Sequence, residues 1–195
     1  MAKKFALAFD LQLCTGCETC TIACRLENGT GGWITVRTVQ GELTEAGEVR
    51  YHKLSWQPVT CMHCDNPPCR EACPEGAIVK REDGIVLVEE ENCINCQACV
   101  DACPYQTICA DPRLDVVGKC NLCLPRIEQG LEPFCVRECT GRAIHFGDVN
   151  DPQSELSKLL ASRQFPIIHE YLDSFLHQMR IKFFRVSLHA LTLFC

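Results

Sequence analysis

Eighteen of the 195 residues are cysteine, and sixteen of these fall into four groups. The groups are Cys14, Cys17, Cys20, Cys24; Cys61, Cys64, Cys69, Cys73; Cys93, Cys96, Cys99, Cys103; and Cys120, Cys123, Cys135, Cys139. Each opens with a C-x-x-C pair and closes with a C-x-x-x-C pair, so the chain carries an internal repeat with variable filler, longest at Leu124 to Phe134 in the fourth group. A C-x-x-C loop turns two sulfurs toward one point. A third cysteine close behind curls the loop around that point and leaves backbone N–H groups aimed at it, which is the layout of a metal centre. Zinc sites use two such pairs per ion and have no need of a third cysteine at this spacing. A disulfide framework would require an oxidising compartment and a secretory route to it. Cys109 and Cys195 stand outside the groups and read as plain thiols, the first a small buried apolar residue.

Other residues near the groups have less to offer. His63 lies inside the second group, where four cysteines already supply the ligands. Lys119 and Arg126 flank the fourth group; a cation near an iron–sulfur centre raises its potential by favouring the more negative reduced state, and a solvated surface charge is the plainer role. Tyr105, behind Cys103 and Pro104, reads as a packed aromatic or as a shield against water. No paired-carboxylate, nucleophile–base or glycine-rich phosphate motif occurs, and Gly29 to Gly32 read as a turn. The chain is not expected to be an enzyme in its own right.

The elements that must hold these groups are short. Hydrophobic residues make up 47% of the chain, but this includes the cysteines, so the conventional core is thin and the centres must supply cohesion. The net charge of −6 argues against a nucleic-acid partner. No run of 18 apolar residues is present to span a bilayer as a helix, and Met1 to Asp10 do not read as a secretory signal. Ala77 to Lys80 and Ile85 to Val88 flank an Asp83-Gly84 turn and predict a hairpin. A second hairpin is expected from Trp33 to Val39 and Val49 to Trp56, around the loop Gly41 to Glu48. Phe5 to Phe9 and Ala143 to Phe146 read as strands expected to pair, and short helical turns are expected after the last cysteine of each group, as in Glu71 to Cys73 and Val100 to Cys103. From Leu172 to Leu193 apolar residues recur at three- and four-residue steps, which predicts an amphipathic helix.

Residues 93 to 104 match in full the bacterial ferredoxin run C-x2-C-x2-C-x3-C-P, in which three thiolates hold one [4Fe–4S] cluster and the fourth reaches the other cluster of a pair. The stretch from about Phe5 to Pro152 resembles the four-cluster, ferredoxin-type electron-transfer subunit of dimethyl sulfoxide reductase-type molybdopterin oxidoreductases. The resemblance rests on Cys-Thr-Gly-Cys at 14 to 17 and on Cys61-Met-His-Cys-Asp-Asn-Pro-Pro-Cys69 with Cys73-Pro-Glu-Gly-Ala-Ile78. It rests further on the full run from Cys93, and on Lys119-Cys-Asn-Leu-Cys123 with Gly130, Pro133 and Cys135. It implies a non-catalytic subunit carrying four [4Fe–4S] clusters. Its partners would be a large molybdopterin-containing catalytic subunit and a membrane anchor subunit or another electron carrier. With no signal of its own, such a subunit is cytoplasmic, or exported and membrane-associated with a partner. A free-standing polyferredoxin carrier is the rival reading.

The expected fold is α+β, with two ferredoxin-like halves related by pseudo-two-fold symmetry, hairpin and loop insertions, and a C-terminal helical tail. Only the 78 to 88 hairpin separates the second and third groups, so residues 61–103 are expected to form one half and residues 1–60 with 104–152 the other, leaving a partly helical tail at 153–195. If each fourth cysteine crosses to its partner's cluster, the ligand sets are Cys14, Cys17, Cys20 with Cys139; Cys120, Cys123, Cys135 with Cys24; Cys61, Cys64, Cys69 with Cys103; and Cys93, Cys96, Cys99 with Cys73.

Overall fold

Every cysteine group stands between two strands. In the computed structural model, which describes residues 2–29, 32–39, 42–43, 49–50, 55–111, 115–162 and 181–184, β1 (Phe5–Asp10) leads into the first group and β2 (Ile34–Val39) follows it. The two-residue strands β3 (Glu42–Leu43) and β4 (Val49–Arg50) pair with each other, and β5 (Ser55–Thr60) leads into the second group. The pairs β6 (Ile78–Lys80) with β7 (Val86–Val88) and β8 (Ile108–Asp111) with β9 (Val116–Lys119) are antiparallel hairpins joining the later groups, and β10 (Ile144–Asp148) follows the last.

After each of the last three groups the following strand starts at a fixed distance. Ile78, Ile108 and Ile144 each lie five residues after the last cysteine of their group, and each is 4% exposed or less. The turn between is also the same: Gly76, Gln106 and Arg142 have φ of 64°, 54° and 49° and donate their N–H to the carbonyl of Cys73, Cys103 and Cys139 at 3.3, 3.1 and 3.0 Å. The helices sit ahead of the last cysteine and not after it, although the turns expected at Glu71 to Cys73 and Val100 to Cys103 overlap the helices at Pro68–Glu71 and Ala98–Ala102. Of these, α2 (Pro68–Glu71) carries Cys69, α3 (Ala98–Ala102) carries Cys99, and α5 (Phe134–Arg137) carries Cys135. Pro74 and Pro104 disfavour helical angles at Cys73 and Cys103, and Cys103 is extended, which ends the helix on the ligand side. In the first group α1 (Thr19–Asn28) runs on through Cys24. The long insertion of the fourth group forms α4 (Leu124–Glu128).

Strand β1 is the middle of a three-stranded sheet. It pairs antiparallel with β10, from Phe5 opposite Asp148 to Phe9 opposite Ile144, as the sequence suggested, and parallel with β11 (Ile181–Phe184). Alternate side chains serve opposite faces: Ala6 and Ala8 pack on Leu156 of α6 (Glu155–Ala161), whereas Leu7 and Phe9 enter the main core with Leu11, Ile34, Met62, Ile85 and Leu122. A second core gathers Ile78, Val86, Ile108 and Val117. Cysteines are members of both, Cys20, Cys24 and Cys135 in the first and Cys69, Cys99 and Cys103 in the second. This is a small α+β fold in which the apolar core alone would be slight.

Three expectations need correction. The helix expected from Leu172 to Leu193 is interrupted by a strand at Ile181–Phe184; the rest of that span lies outside the described residues. The free edge of β1 and the β-favouring sequence Ile-Lys-Phe-Phe outweigh the helical spacing there. The return strand of the second hairpin is not the continuous Val49 to Trp56: β2 pairs with β5, from Ile34 opposite Thr60 to Val39 opposite Ser55. Finally, Cys109 is disulfide-bonded and half-buried, not a plain buried thiol, while Cys195 lies outside the described residues.

Candidate metal centre

The backbone prepares the cysteine loops in the same way four times. The residue before the second cysteine of each group is left-handed: Gly16, His63, Asn95 and Leu122 have φ of 70°, 46°, 52° and 56°. Glycine and asparagine tolerate this conformation, but for leucine and histidine it is strained by roughly 1–3 kcal/mol. That conformation curls the loop, and in the fourth group it turns the N–H of Leu122 toward the Cys120 sulfur.

Four small cavities lined by cysteine result. One is lined by Cys14, Cys17, Cys20 and Cys139. Its neighbour is lined by Cys24, Cys120, Cys123 and Cys135. The third is lined by Cys61, Cys64, Cys69 and Cys103, and the fourth by Cys73, Cys93, Cys96 and Cys99. Every one of the sixteen grouped cysteines lines a cavity, each cavity takes three from one group and one from another, and all sixteen are free thiols.

A tetrahedral zinc site draws its four thiolates to about 2.3 Å from one point. Among the described residues no three His, Cys, Asp or Glu side chains converge closely enough to hold a single ion. Four sulfurs spread around a cavity instead suit a cubane, in which each thiolate binds its own iron. Donors to sulfur complete the fit. The N–H of Trp33 reaches Cys24 Sγ at 3.2 Å, that of Leu122 reaches Cys120 Sγ at 3.4 Å, and that of Ala143 reaches Cys139 Sγ at 3.2 Å. The Asn28 amide reaches the sulfurs of both Cys24 and Cys123, at 3.5 and 4.0 Å.

Burial otherwise opposes thiolate formation. It pushes Cys20, Cys64 and Cys99 up to about 11 and Cys69 and Cys120 up to about 12, and it lifts Cys135 well above the ordinary thiol range. Such thiols ionise only against bound positive charge, so metal binding here displaces protons. Cys17 is the exception. It is exposed, and the hydroxyls of Thr140 and Thr19, 3.4 and 3.3 Å from its sulfur, lower it to about 6.

The remaining candidates find structural places. The Nδ1 of His63 accepts the N–H of Val86 at 3.0 Å. Tyr105 lines the cavity of Cys61 and its set and packs on both cores, so it is both packed aromatic and cover. Arg126 pairs with Glu27 at 3.3 Å and lies over the Phe134 ring. Lys119 is buried, 5% exposed. Sequence reasoning missed Asn28, Thr19 and Thr140. Only Thr140 left a trace, standing where Pro follows the fourth cysteine in the second and third groups.

Comparison with known proteins bears on this site. A family model of a 4Fe–4S dicluster domain matches residues 52–149, and one of a 4Fe–4S binding domain matches residues 11–31. The protein is similar to the B subunit of tetrathionate reductase from Salmonella typhimurium, 41% identical over 80% of this chain and 63% of that relative. It is also similar to the B subunit of polysulfide reductase from Wolinella succinogenes, 39% identical over 84% of this chain and 86% of the relative. A third relative is the B subunit of sulfite dehydrogenase from Allochromatium vinosum, 37% identical over 82% of this chain and 75% of the relative. The match therefore spans just under two thirds of the tetrathionate relative and more of the other two. Among the described residues no helix is long and apolar enough to cross a membrane. On its cysteine loops and these likenesses, the protein belongs to the family of 4Fe–4S iron–sulfur subunits that transfer electrons in molybdopterin oxidoreductases and carry no catalytic site of their own.

Proposed function

We propose that the protein binds four [4Fe–4S] clusters, each held by the four cysteines that line one cavity, and that it conducts electrons between a large molybdopterin-containing subunit and a membrane anchor subunit or another carrier. When bound, these groups supply one-electron storage and transfer at potentials set by hydrogen bonds to sulfur, burial and local charge. The observation that carries the reading is the crossing of each set: Cys24 lines the cavity of the fourth group, Cys139 that of the first, Cys73 that of the third and Cys103 that of the second.

The protein's own residues do the rest. The cavities follow one another through packed sulfur: Cys20 and Cys135 share the first core, Cys120 lies close enough to Cys61 for their charges to interact, and Cys69, Cys99 and Cys103 share the second core. Exposure falls at the two ends, at Cys17 and Cys96, while eight others of the sixteen are buried, and with their apolar surroundings they keep water from the middle. This is the arrangement a wire between two partners requires. Two ferredoxin-like halves related by pseudo-two-fold symmetry fit the same reading. The packing of β8 on α3 and of β9 on β7 supports carrying the second half past residue 103.

Anaerobic purification of the chain with its native complex tests the proposal. Close to sixteen iron and sixteen sulfide per chain are expected, from four sets at four of each, together with a molybdopterin subunit. Iron for two clusters only would overturn the four-cluster reading, and a chain that exchanges freely among small carriers would favour the polyferredoxin alternative.

A further inference from the structure

Three cations lie beside the inner cysteines, and their charges are balanced differently. Lys80 donates to the carbonyls of His63 and Cys64 and has the Asp65 carboxylate 3.7 Å away. Arg126 has Glu27 at 3.3 Å. Lys119, the most deeply buried of the three, donates to the carbonyls of Val86 and Cys120, the latter at 3.0 Å, and meets no carboxylate among the described residues. A lysine ammonium in an apolar interior is costly unless an opposite charge lies near. Its two acceptors indicate where that charge is. Val86 lines the cavity of Cys61, Cys64, Cys69 and Cys103, and Cys120 lines the cavity of Cys24, Cys123 and Cys135. Lys119 also opposes the effect of burial on Cys69.

We infer that Lys119 is the shared countercharge of the two inner cysteine sets, raising the potential of the centre held in each and so easing passage across the middle of the chain. This rests on the four-cluster reading above. Four thiolates around a cubane core leave a net negative charge that grows by one on reduction, so a fixed positive charge at the junction favours the reduced form on both sides of it. Lys80 and Arg126, each with its own carboxylate, have less charge to offer. The outer sets, with Cys17 at one end and Cys96 at the other, are expected to feel this charge less.

The test is a redox titration, followed by electron paramagnetic resonance, of the full chain purified anaerobically in its complex, after iron and sulfide have been counted. In Lys119→Met two of the four centres are expected to become harder to reduce, by a tenfold or greater change in their oxidised-to-reduced ratio at fixed potential, which is about 59 mV for one electron. Lys119→Arg should restore both, and Lys119→Gln, which keeps a donor but no charge, should behave like the methionine variant. Lys80→Met should move its neighbouring centre by less. Unchanged midpoints in Lys119→Gln with full iron content, or an equal shift of all four centres, would overturn the inference while leaving the four-cluster reading intact. Too little iron for four centres in the unmodified chain would instead overturn the reading on which it rests. If Lys119→Met assembles poorly, the comparison of Gln with Arg still decides.

Discussion

The cavity of Cys14, Cys17, Cys20 and Cys139 and its neighbour of Cys24, Cys120, Cys123 and Cys135 are made from the same two cysteine groups, yet they offer opposite settings. In the first, Cys17 is exposed, two threonine hydroxyls face its sulfur, and the left-handed residue of the loop is Gly16. In the second, the left-handed residue is Leu122, 2% exposed, the sulfur donors are main-chain N–H groups and the Asn28 amide, and burial pushes Cys120 up to about 12 where Cys17 is lowered to about 6. Ligand spacing is shared, so it is not the source of the contrast. The source is the cover: Trp33 and the segment 124–135 close over the inner site, whereas at the outer loop Trp56 lies against Gly16 and leaves Cys17 exposed. One loop design can thus hold the same kind of centre under very different conditions, and the insertions decide which.

The largest test of this contrast is removal of the metal. Stripping iron leaves the inner cavity lined by thiols that burial keeps protonated, in a core that counts those same cysteines among its members. Near-ultraviolet circular dichroism and limited proteolysis are expected to show loss of the whole cooperative fold, and a cooperative thermal transition in the iron-free protein would break the argument. Next comes the crossing. Cys24→Ser should alter the one centre served by Cys120, Cys123 and Cys135 and leave its sequence neighbours Cys14, Cys17 and Cys20 with an unchanged spectrum; the reverse outcome would break the pairing on which the comparison stands.

Smaller effects sharpen the picture. A Cβ on Gly16 would meet the Trp56 ring at 2.4 Å at a φ of +70°, so Gly16→Ala is expected to destabilise the outer loop by about 1–3 kcal/mol, read from the loss of iron on heating. The equivalent Leu122→Gly relieves the left-handed strain but removes a buried side chain, so its cost should come from packing. The smallest change is expected from Thr140→Val. It deletes one hydrogen bond to the Cys17 sulfur, worth about 1 kcal/mol or less at an exposed site, and should lower the outer centre's midpoint slightly without touching the inner one. An equal shift at both would show that the two sites are not insulated as described.

The cysteine groups were legible because the information is local: C-x-x-C and C-x-x-x-C spacings lie within single loops, and Asp83-Gly84 announces its own turn. The pairing of β1 with β10 was readable from two apolar strands bracketing the outer groups. What escaped depends on distant partners. The β8–β9 hairpin has no Asn-Gly or Asp-Gly between Asp111 and Asp115; its Asp111-Pro112 favours a turn but does not specify a hairpin. The return strand of the β2 hairpin was placed too early because Val49 and Arg50 are strand-like yet pair with Glu42 and Leu43, leaving Ser55–Thr60 to meet β2. At Ile181–Phe184 the residue spacing favoured a helix, and only the open edge of β1, at the far end of the sequence, explains a strand. Sulfur-facing hydroxyls and amides such as Thr19 and Asn28 have no spacing signature at all.

The position of β1 also bears on how the protein is made. It is synthesised well before its neighbours in the sheet, which begin only at Ile144 and Ile181. Until then its alternating Ala6 and Ala8 on one face and Leu7 and Phe9 on the other have no partners in the finished sheet. By contrast β6 and β7 meet across five residues, and Cys73 and Cys93, which line one cavity, are synthesised close together. Short closures lose less chain entropy than long ones. These elements therefore close from the middle outward, like nested brackets, and β1 waits longest for its partners.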